Sequence, residues 1–276
     1  MNTTTMHTSW SYPWAGLLLL LLTHSCTSES GLQELAVTAV YPSADTLPEN
    51  ILRMYVHFSK PMKATGNLEN IQVLDERGRV VEGALFNNVY ELWDAGQQQL
   101  TLLFDPARVK TGLRAHLRRG RALQAERAYQ LRIGALEDVD GNTTPPFVKS
   151  FWVGPADVQA PDTARWEVVV PAVHSRVPLV LRFPQSLDAF SLRQRLVLTD
   201  AEQQPVEGVL SLGPEEKAWY FRPLRPWGAG HYSLYINTRL EDPAGNNING
   251  RFDHEVGSLR WEEEGRVIRM PIEMGD

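Results

Sequence analysis

The residues best placed to do chemistry lie in the string "LEDVDGN", Leu136 to Asn142. There Glu137, Asp138 and Asp140 could offer carboxylate oxygens to a calcium ion. A calcium-binding loop of the usual kind needs glycine at its sixth position and a bidentate acid at its twelfth. Placing Gly141 at six puts Leu136 at one and Phe147 at twelve, and neither ligates a cation. A near copy, "LEDPAGN", starts at Leu240, with Ala244 in place of Asp140 and Arg251 at the twelfth position. Both strings fit a type I turn instead. Asp138 and Asp242 take its first position, Gly141 and Gly245 its fourth, and Pro243 its second. The turn is the expected reading, and a looser calcium site at Glu137, Asp138 and Asp140 is the weaker alternative.

A second candidate is basic. "ARVKTGLRAHLRRGRALQAER", Ala107 to Arg127, carries Arg108, Lys110, Arg114, Arg118, Arg119, Arg121 and Arg127 against Glu126 alone. Such a patch can contact anionic partners: phosphate headgroups, lipid A, acidic glycans or an acidic protein surface. The ordinary alternative is a solvated loop whose arginine stems cover apolar surface. Trp93 ("YELWDAG") and Trp227 ("RPWGAG") adjoin turns, where an indole could stack on a sugar ring or cap the end of its own domain. His57 falls on the outward phase of its strand and reads as a surface residue. There is no GxSxG, HExxH or P-loop, and no GxGxxG before a helix. No catalytic residue, cofactor or tightly held metal is therefore expected, although a triad assembled from distant loops shows itself only in geometry.

These residues must be positioned by elements that the bulk composition already constrains. The 276 residues, 43% hydrophobic and 22% charged, make an ordinary globular chain of one to two domains. Eighteen Pro and twenty Gly suit a turn-rich all-β protein. A formal charge of −6 argues against a general nucleic-acid binder, which needs a dominant basic face. The run "AGLLLLLL", Ala15 to Leu22, has the character of a signal-peptide core and is too short to span a bilayer. "THSC" follows, and Cys26 is the chain's single cysteine, so no intramolecular disulfide can form. The arrangement resembles a bacterial lipobox. On that resemblance residues 1–25 are a signal peptide, Cys26 is the lipidated first residue of the mature protein, and the chain is anchored to a membrane. Thr23, His24 and the lack of Lys or Arg ahead of the apolar run depart from the pattern. A plainly secreted or periplasmic protein is the alternative.

The chain also aligns with itself. "LRMYVHFSKPM" from Leu52 and "VPLVLRFPQSL" from Val177 lie 125 positions apart. Leu52, Met54, Val56 and Phe58 alternate with more polar residues, as do Val177, Leu179, Leu181 and Phe183, the period of a half-buried strand. The same offset pairs "IQVLDERGRVVEGAL" from Ile71 with "LVLTDAEQQPVEGVL" from Leu196, each reading strand, turn, strand. "LTLLFDP" then matches "KAWYFRP", and the two "LED" strings match in turn, with the basic insert 107–127 as extra length in the first copy. Two antiparallel β-sandwiches follow, at 32–156 and 165–256. Residues 157–164 form a linker and 257–276 a C-terminal extension.

In their order, "FSKPM", "GRVVEGAL", "LLFDP" and "AYQLRI…LEDVDGN", with "WYFRPLRPWGAGHYSLYI…LEDPAGN" in the second copy, resemble the bacterial Ig-like domain of the surface-layer (SbsA) type. The resemblance covers nearly all of residues 36–256. It implies Ig-like sandwiches in an envelope or surface module, usually non-catalytic. It also implies that Tyr129 and Tyr232 act as tyrosine corners, each hydroxyl satisfying backbone groups where the sheets cross. Two functions are then expected. One is a non-catalytic structural, adhesion or scaffold module whose partner is an envelope protein or glycan. The other is a carbohydrate- or anionic-ligand-binding protein using the insert and the tryptophans, with a hydrolase at the domain junction a less favoured third.

Overall fold

The structure, a computed structural model, describes residues 34–66, 68–86, 91–253 and 266–275. The leader and Cys26 lie outside the described residues. Gln33–Asp276 forms one compact unit. The chain runs β1 (Val37–Tyr41), β2 (Thr46–Pro48), β3 (Arg53–Phe58), β4 (Ile71–Asp75), β5 (Leu92–Trp93) and β6 (Gln99–Leu103). The basic insert holds two short helices, α1 (Pro106–Val109) and α2 (Arg114–Arg119), and β7 (Arg127–Ile133) and β8 (Phe147–Gly154) follow. The second half continues with β9 (Glu167–Val169), β10 (Leu179–Arg182), α3 (Ala189–Gln194), β11 (Leu196–Thr199), β12 (Gly208–Leu212), β13 (Ala218–Pro223), β14 (Gly230–Asn237) and β15 (Val267–Met274).

The fold is all-β, of sandwich type. In the first half β1-β3-β6-β5 forms one sheet and β2-β8-β7-β4 the other; in the second, β12-β13-β10-β9 faces β11-β14-β15. Among the described residues the strand pairings are antiparallel except β2 with β8. The orders β1-β3-β6 and β9-β10-β13 correspond, as do β4-β7-β8 and β11-β14-β15. Alternation along each strand sends one set of side chains between the sheets. Val56, Leu100, Phe104, Leu131 and Val153 fill the first core, and Leu181, Trp219, Leu234 and Ile236 the second. Each fully buried apolar side chain of this size contributes about 1.5–3 kcal/mol. Ile272 and Met274 of β15 belong to that second core. Part of the stretch read as an extension is thus an edge strand of the second sandwich, because its apolar alternation completes the β14 edge.

The corner tyrosines behave as the resemblance implies. The backbone N–H of Gln124 donates to the Tyr129 hydroxyl at 3.1 Å. The Tyr232 hydroxyl accepts from Gly228 N–H and donates to Gly228 C=O, both at 3.3 Å.

The stretch 157–164 is not a free linker. Asp157 N–H donates to Asn50 Oδ1 and Asn50 Nδ2 donates back to Asp157 C=O, each at 2.8 Å. Asn246 Nδ2 adds a third bond to the same carbonyl at 3.2 Å. A buried Pro161 lies further along. Polar side chains of both halves thereby hold the segment, which composition alone could not show.

Candidate functional site

The opening acids form a turn. Asp138 Oδ1 accepts from the N–H groups of Asp140 and Asn142 at 2.9 and 2.8 Å, and Asn142 Nδ2 donates to Oδ2 at 3.0 Å. Gly141, at φ 84°, supplies the left-handed residue that closes it. Glu137 pairs with Lys63 at 3.1 Å, and Asp140 is exposed. Among the described residues no group of three His, Cys, Asp or Glu is disposed to hold a metal. The second turn repeats the design: Asp242 Oδ1 accepts from Ala244 and Asn246 at 2.8 and 3.0 Å, and Asn246 Nδ2 reaches Oδ2 at 2.8 Å.

The two turns differ in what surrounds them. The side-chain bond from Asn142 is the main cause holding the Asp138 carboxyl below its ordinary range, and nearby Lys60 adds to it. Burial pushes Asp242 up to about 8, and the charge of Asp157 acts in the same direction. The second turn is covered by the first sandwich: Leu52 N–H donates to Pro243 C=O at 2.9 Å. Gly245 sits at φ 81°, where a side chain is strained, and a Cβ there would also stand 2.6 Å from Leu52 Cδ2.

This contact belongs to a polar junction built on the outer face of β3. Arg53, Tyr55 and His57 alternate with the core residues of that strand and on sequence grounds face water. In the structure that face is covered by the second half. The Tyr55 hydroxyl donates to Asp188 Oδ2 at 2.8 Å, and its ring stacks on Phe190 of α3 at 6.1 Å. Arg53 pairs with Glu241 at 2.6 Å. Ser43 N–H donates to both Glu216 oxygens, at 3.2 and 3.0 Å. His57 is half-buried, edge-on to Tyr41 at 5.3 Å, and burial pulls its pKa down with help from Arg193. The reading of His57 as a surface residue is therefore corrected.

Burial raises Glu216, Glu241 and Asp157 as well, opposed at Glu216 by the Ser43 bonds and at Glu241 by Arg53. These carboxylates accept junction and cap hydrogen bonds; Asp188, the N-cap of α3, also takes Ser191 N–H at 2.7 Å. Beside the junction a cleft of about 310 Å³ is walled by Pro42, Pro48, Pro155, Pro243 and Leu47, an apolar lining with few polar groups.

The basic insert divides. Arg108 is 7% exposed. The cap explains its placement: Asp105 accepts from Ala107 N–H at 2.9 Å, and Pro106 opens α1. Its guanidinium donates to the carbonyls of Gly120 (3.0 Å), Glu82 (2.9 Å), Gly83 (3.1 Å) and Arg121 (3.0 Å). Arg121 pairs with Glu49 and lies 3.7 Å from Asp253, and Lys110 sits 5.6 Å over the Phe252 ring. Arg108, Lys110 and Arg121 are thus engaged within the fold and do not form an open patch with the others. Arg114, Arg118 and Arg119 are exposed on α2. Of these, Arg119 joins Arg108, Arg121, Arg79 and Arg127 around a groove of about 400 Å³ between the insert, the β4 hairpin and the start of β7. In sequence Arg127 reads as the end of the insert, and Arg79, on a different segment, is not singled out. Their signal was the β4–β7 pairing, Asp75 opposite Tyr129, which brings the two arginines to one rim.

Neither tryptophan is an open sugar platform. Trp227 is 2% exposed, packs on Phe221 and Tyr232, and donates Nε1–H to Val177 C=O at 2.8 Å. Its backbone is held there by Trp227 N–H donating to Ser175 C=O at 2.9 Å and His174 N–H donating to Trp227 C=O at 2.8 Å. Trp93 is half-buried, lies 5.5 Å from Phe58 and donates to Glu91 Oε2 at 2.8 Å. Trp227→Ala is expected to cost about 3–5 kcal/mol of stability through the cavity it leaves. A urea-unfolding series measures this, and a loss below about 1 kcal/mol would contradict the core role.

No family model and no curated protein matches the chain. Among solved structures, CopC from Methylosinus trichosporium OB3b is 16% identical, covering 46% of this chain and 99% of its own, at a TM-score of 0.31. The N-terminal part of the bacterial S-layer protein SbsC is 10% identical over 88% of this chain and 44% of its own, at 0.30. Native alpha-2-macroglobulin from Escherichia coli, spanning domains MG0-NIE-MG1, is 10% identical over 88% and 72%, at 0.28. Likeness at these scores carries no argument about function. Among the described residues no helix is long and apolar enough to cross a membrane.

Proposed function

We propose that the chain is a non-catalytic envelope module: two Ig-like sandwiches, copies of one unit, held at a set mutual orientation to serve as a scaffold or interaction element. The junction carries this reading. Tyr55 with Asp188, Arg53 with Glu241 and Ser43 with Glu216 join the halves through buried or half-buried polar bonds. Buried polar contacts of this kind specify geometry, since each unmade bond would cost about 1–3 kcal/mol. Asp188, Glu241 and Glu216 are engaged there as acceptors. The apolar run at Ala15–Leu22 and Cys26 support an envelope address with a lipid anchor, and the order of the Ig-like motifs supports the surface-layer type. The partner on this reading is another envelope protein or a glycan.

The test is a distance measurement. Cysteines placed at exposed Val148 and Val209, in a chain with Cys26→Ala, carry spin labels on opposite sandwiches. One narrow distance distribution is expected. A broad distribution spanning tens of ångströms, about what freely linked domains give, would count against the scaffold.

A further inference from the structure

We propose that the groove between the insert and the β4 hairpin is a binding site for a phosphate ester. Five arginines border it, Arg79, Arg108, Arg119, Arg121 and Arg127, against the two acids Asp75 and Glu82. Internal pairing disposes of only part of that charge. Arg79 is matched by Asp75 at 2.7 Å, and Arg121 by Glu49 and Asp253. The four acceptors of Arg108 are neutral carbonyls, and among the described residues no carboxylate is hydrogen-bonded to it. Arg119 and Arg127 are exposed and enter no ion pair among the described residues. Arg119 is drawn close to Arg108: a Cβ on Gly83 would lie 3.4 Å from Arg119 Nη1 and 4.0 Å from Arg108 Nη1. Like charges approach in this way at the cost of repulsion, which an anion between them would relieve.

Arg121 is held at the rim by Glu49 and Asp253, so it adds to the positive field of the groove without being its main contact. Arginine clusters favour tetrahedral oxyanions, because each fork offers parallel N–H groups to two oxygens. About 400 Å³ is room for a phosphate with one attached sugar or glycerol, and Gln124 on the wall adds an amide for a neighbouring hydroxyl. A sugar phosphate and a phospholipid headgroup present the same chemistry, and the experiment separates these sources.

Glucose 6-phosphate is titrated into the purified chain by calorimetry, and vesicles of phosphatidylglycerol or phosphatidylcholine are tested by co-sedimentation. Binding to glucose 6-phosphate, or to the anionic vesicles alone, is expected, the latter marking a lipid source. Arg119→Ala with Arg127→Ala is expected to weaken it at least tenfold with an unchanged melting temperature. Arg114→Ala with Arg118→Ala, equal in charge but outside the groove, is expected to change it less than twofold. Absence of binding to both probes, or an equal loss in the two double variants, would overturn the site in favour of no ligand or of diffuse charge.

Discussion

At pH 8 the chain is expected to melt on the order of 10 °C lower than at pH 5, and Asp242→Asn is expected to remove most of that difference. Asp242 titrates near 8 in the folded chain because burial, and then Asp157, oppose its charge. Its ordinary value is 3.8. Between the two values the folded state holds a proton that the unfolded state has released. Stability from this group is therefore full at low pH and is lost as pH rises toward and through 8. One proton gives a slope of about 1.4 kcal/mol per pH unit, flattening near the folded value, so the change from pH 5 to 8 is about 3.5–4 kcal/mol. Glu216, Glu241 and Asp157 are shifted the same way and leave a residual slope. The amide introduced by Asp242→Asn would face that of Asn246, which lowers stability at both pH values but adds no slope. Asp138→Asn is the control. Its carboxyl is shifted down, so it is ionised in both states throughout the window and its loss leaves the slope unchanged. Melting curves from pH 5 to 8 decide. Greater stability at pH 8, or the same slope in Asp242→Asn, would contradict the junction's electrostatics.

Arg108→Ala is expected to destabilise the chain by about 2–4 kcal/mol, the cost of unpaired buried carbonyls less the relieved cost of burying the guanidinium, with Arg108→Lys recovering little of it. Truncation leaves four carbonyls without their shared donor and frees the end of α2 from the β4 hairpin. An ammonium cannot span acceptors on both segments as the planar guanidinium does. Chemical denaturation of the three proteins measures the effect, and a cost for Arg108→Ala below about 1 kcal/mol would show that the insert holds its place by other means.

These predictions fall on residues that the sequence presents in a misleading light. The strands were legible because Met54, Val56 and Phe58, or Leu131 and Ile133, alternate with polar neighbours and the alternation has one physical cause. The turns were legible because Asp138 and Gly141 recur as Asp242 and Gly245. The corner tyrosines followed from the family resemblance, Tyr129 near the start of β7 and Tyr232 near the start of β14. The junction was not legible. Arg53, Tyr55 and His57 sit on the polar phase of β3, and that phase describes equally a face in water and a face against another polar surface. Their partners Asp188 and Glu241 lie more than a hundred residues away, in a cap and a turn that explain those acids locally. Arg108 was lost in the same way, since a basic run reads as solvated and only the fold shows which arginine points inward. Arg79 and Arg127, far apart in the chain, met only through the register of β4 with β7.

The central claim is that the two sandwiches act as one body because polar bonds cross between them. Scanning calorimetry at pH 6 tests it without labels. A single transition is predicted, with calorimetric and van 't Hoff enthalpies equal, because the junction couples the halves. Two resolved transitions, or a calorimetric enthalpy about twice the van 't Hoff value, would mean that each sandwich unfolds alone and would contradict the account.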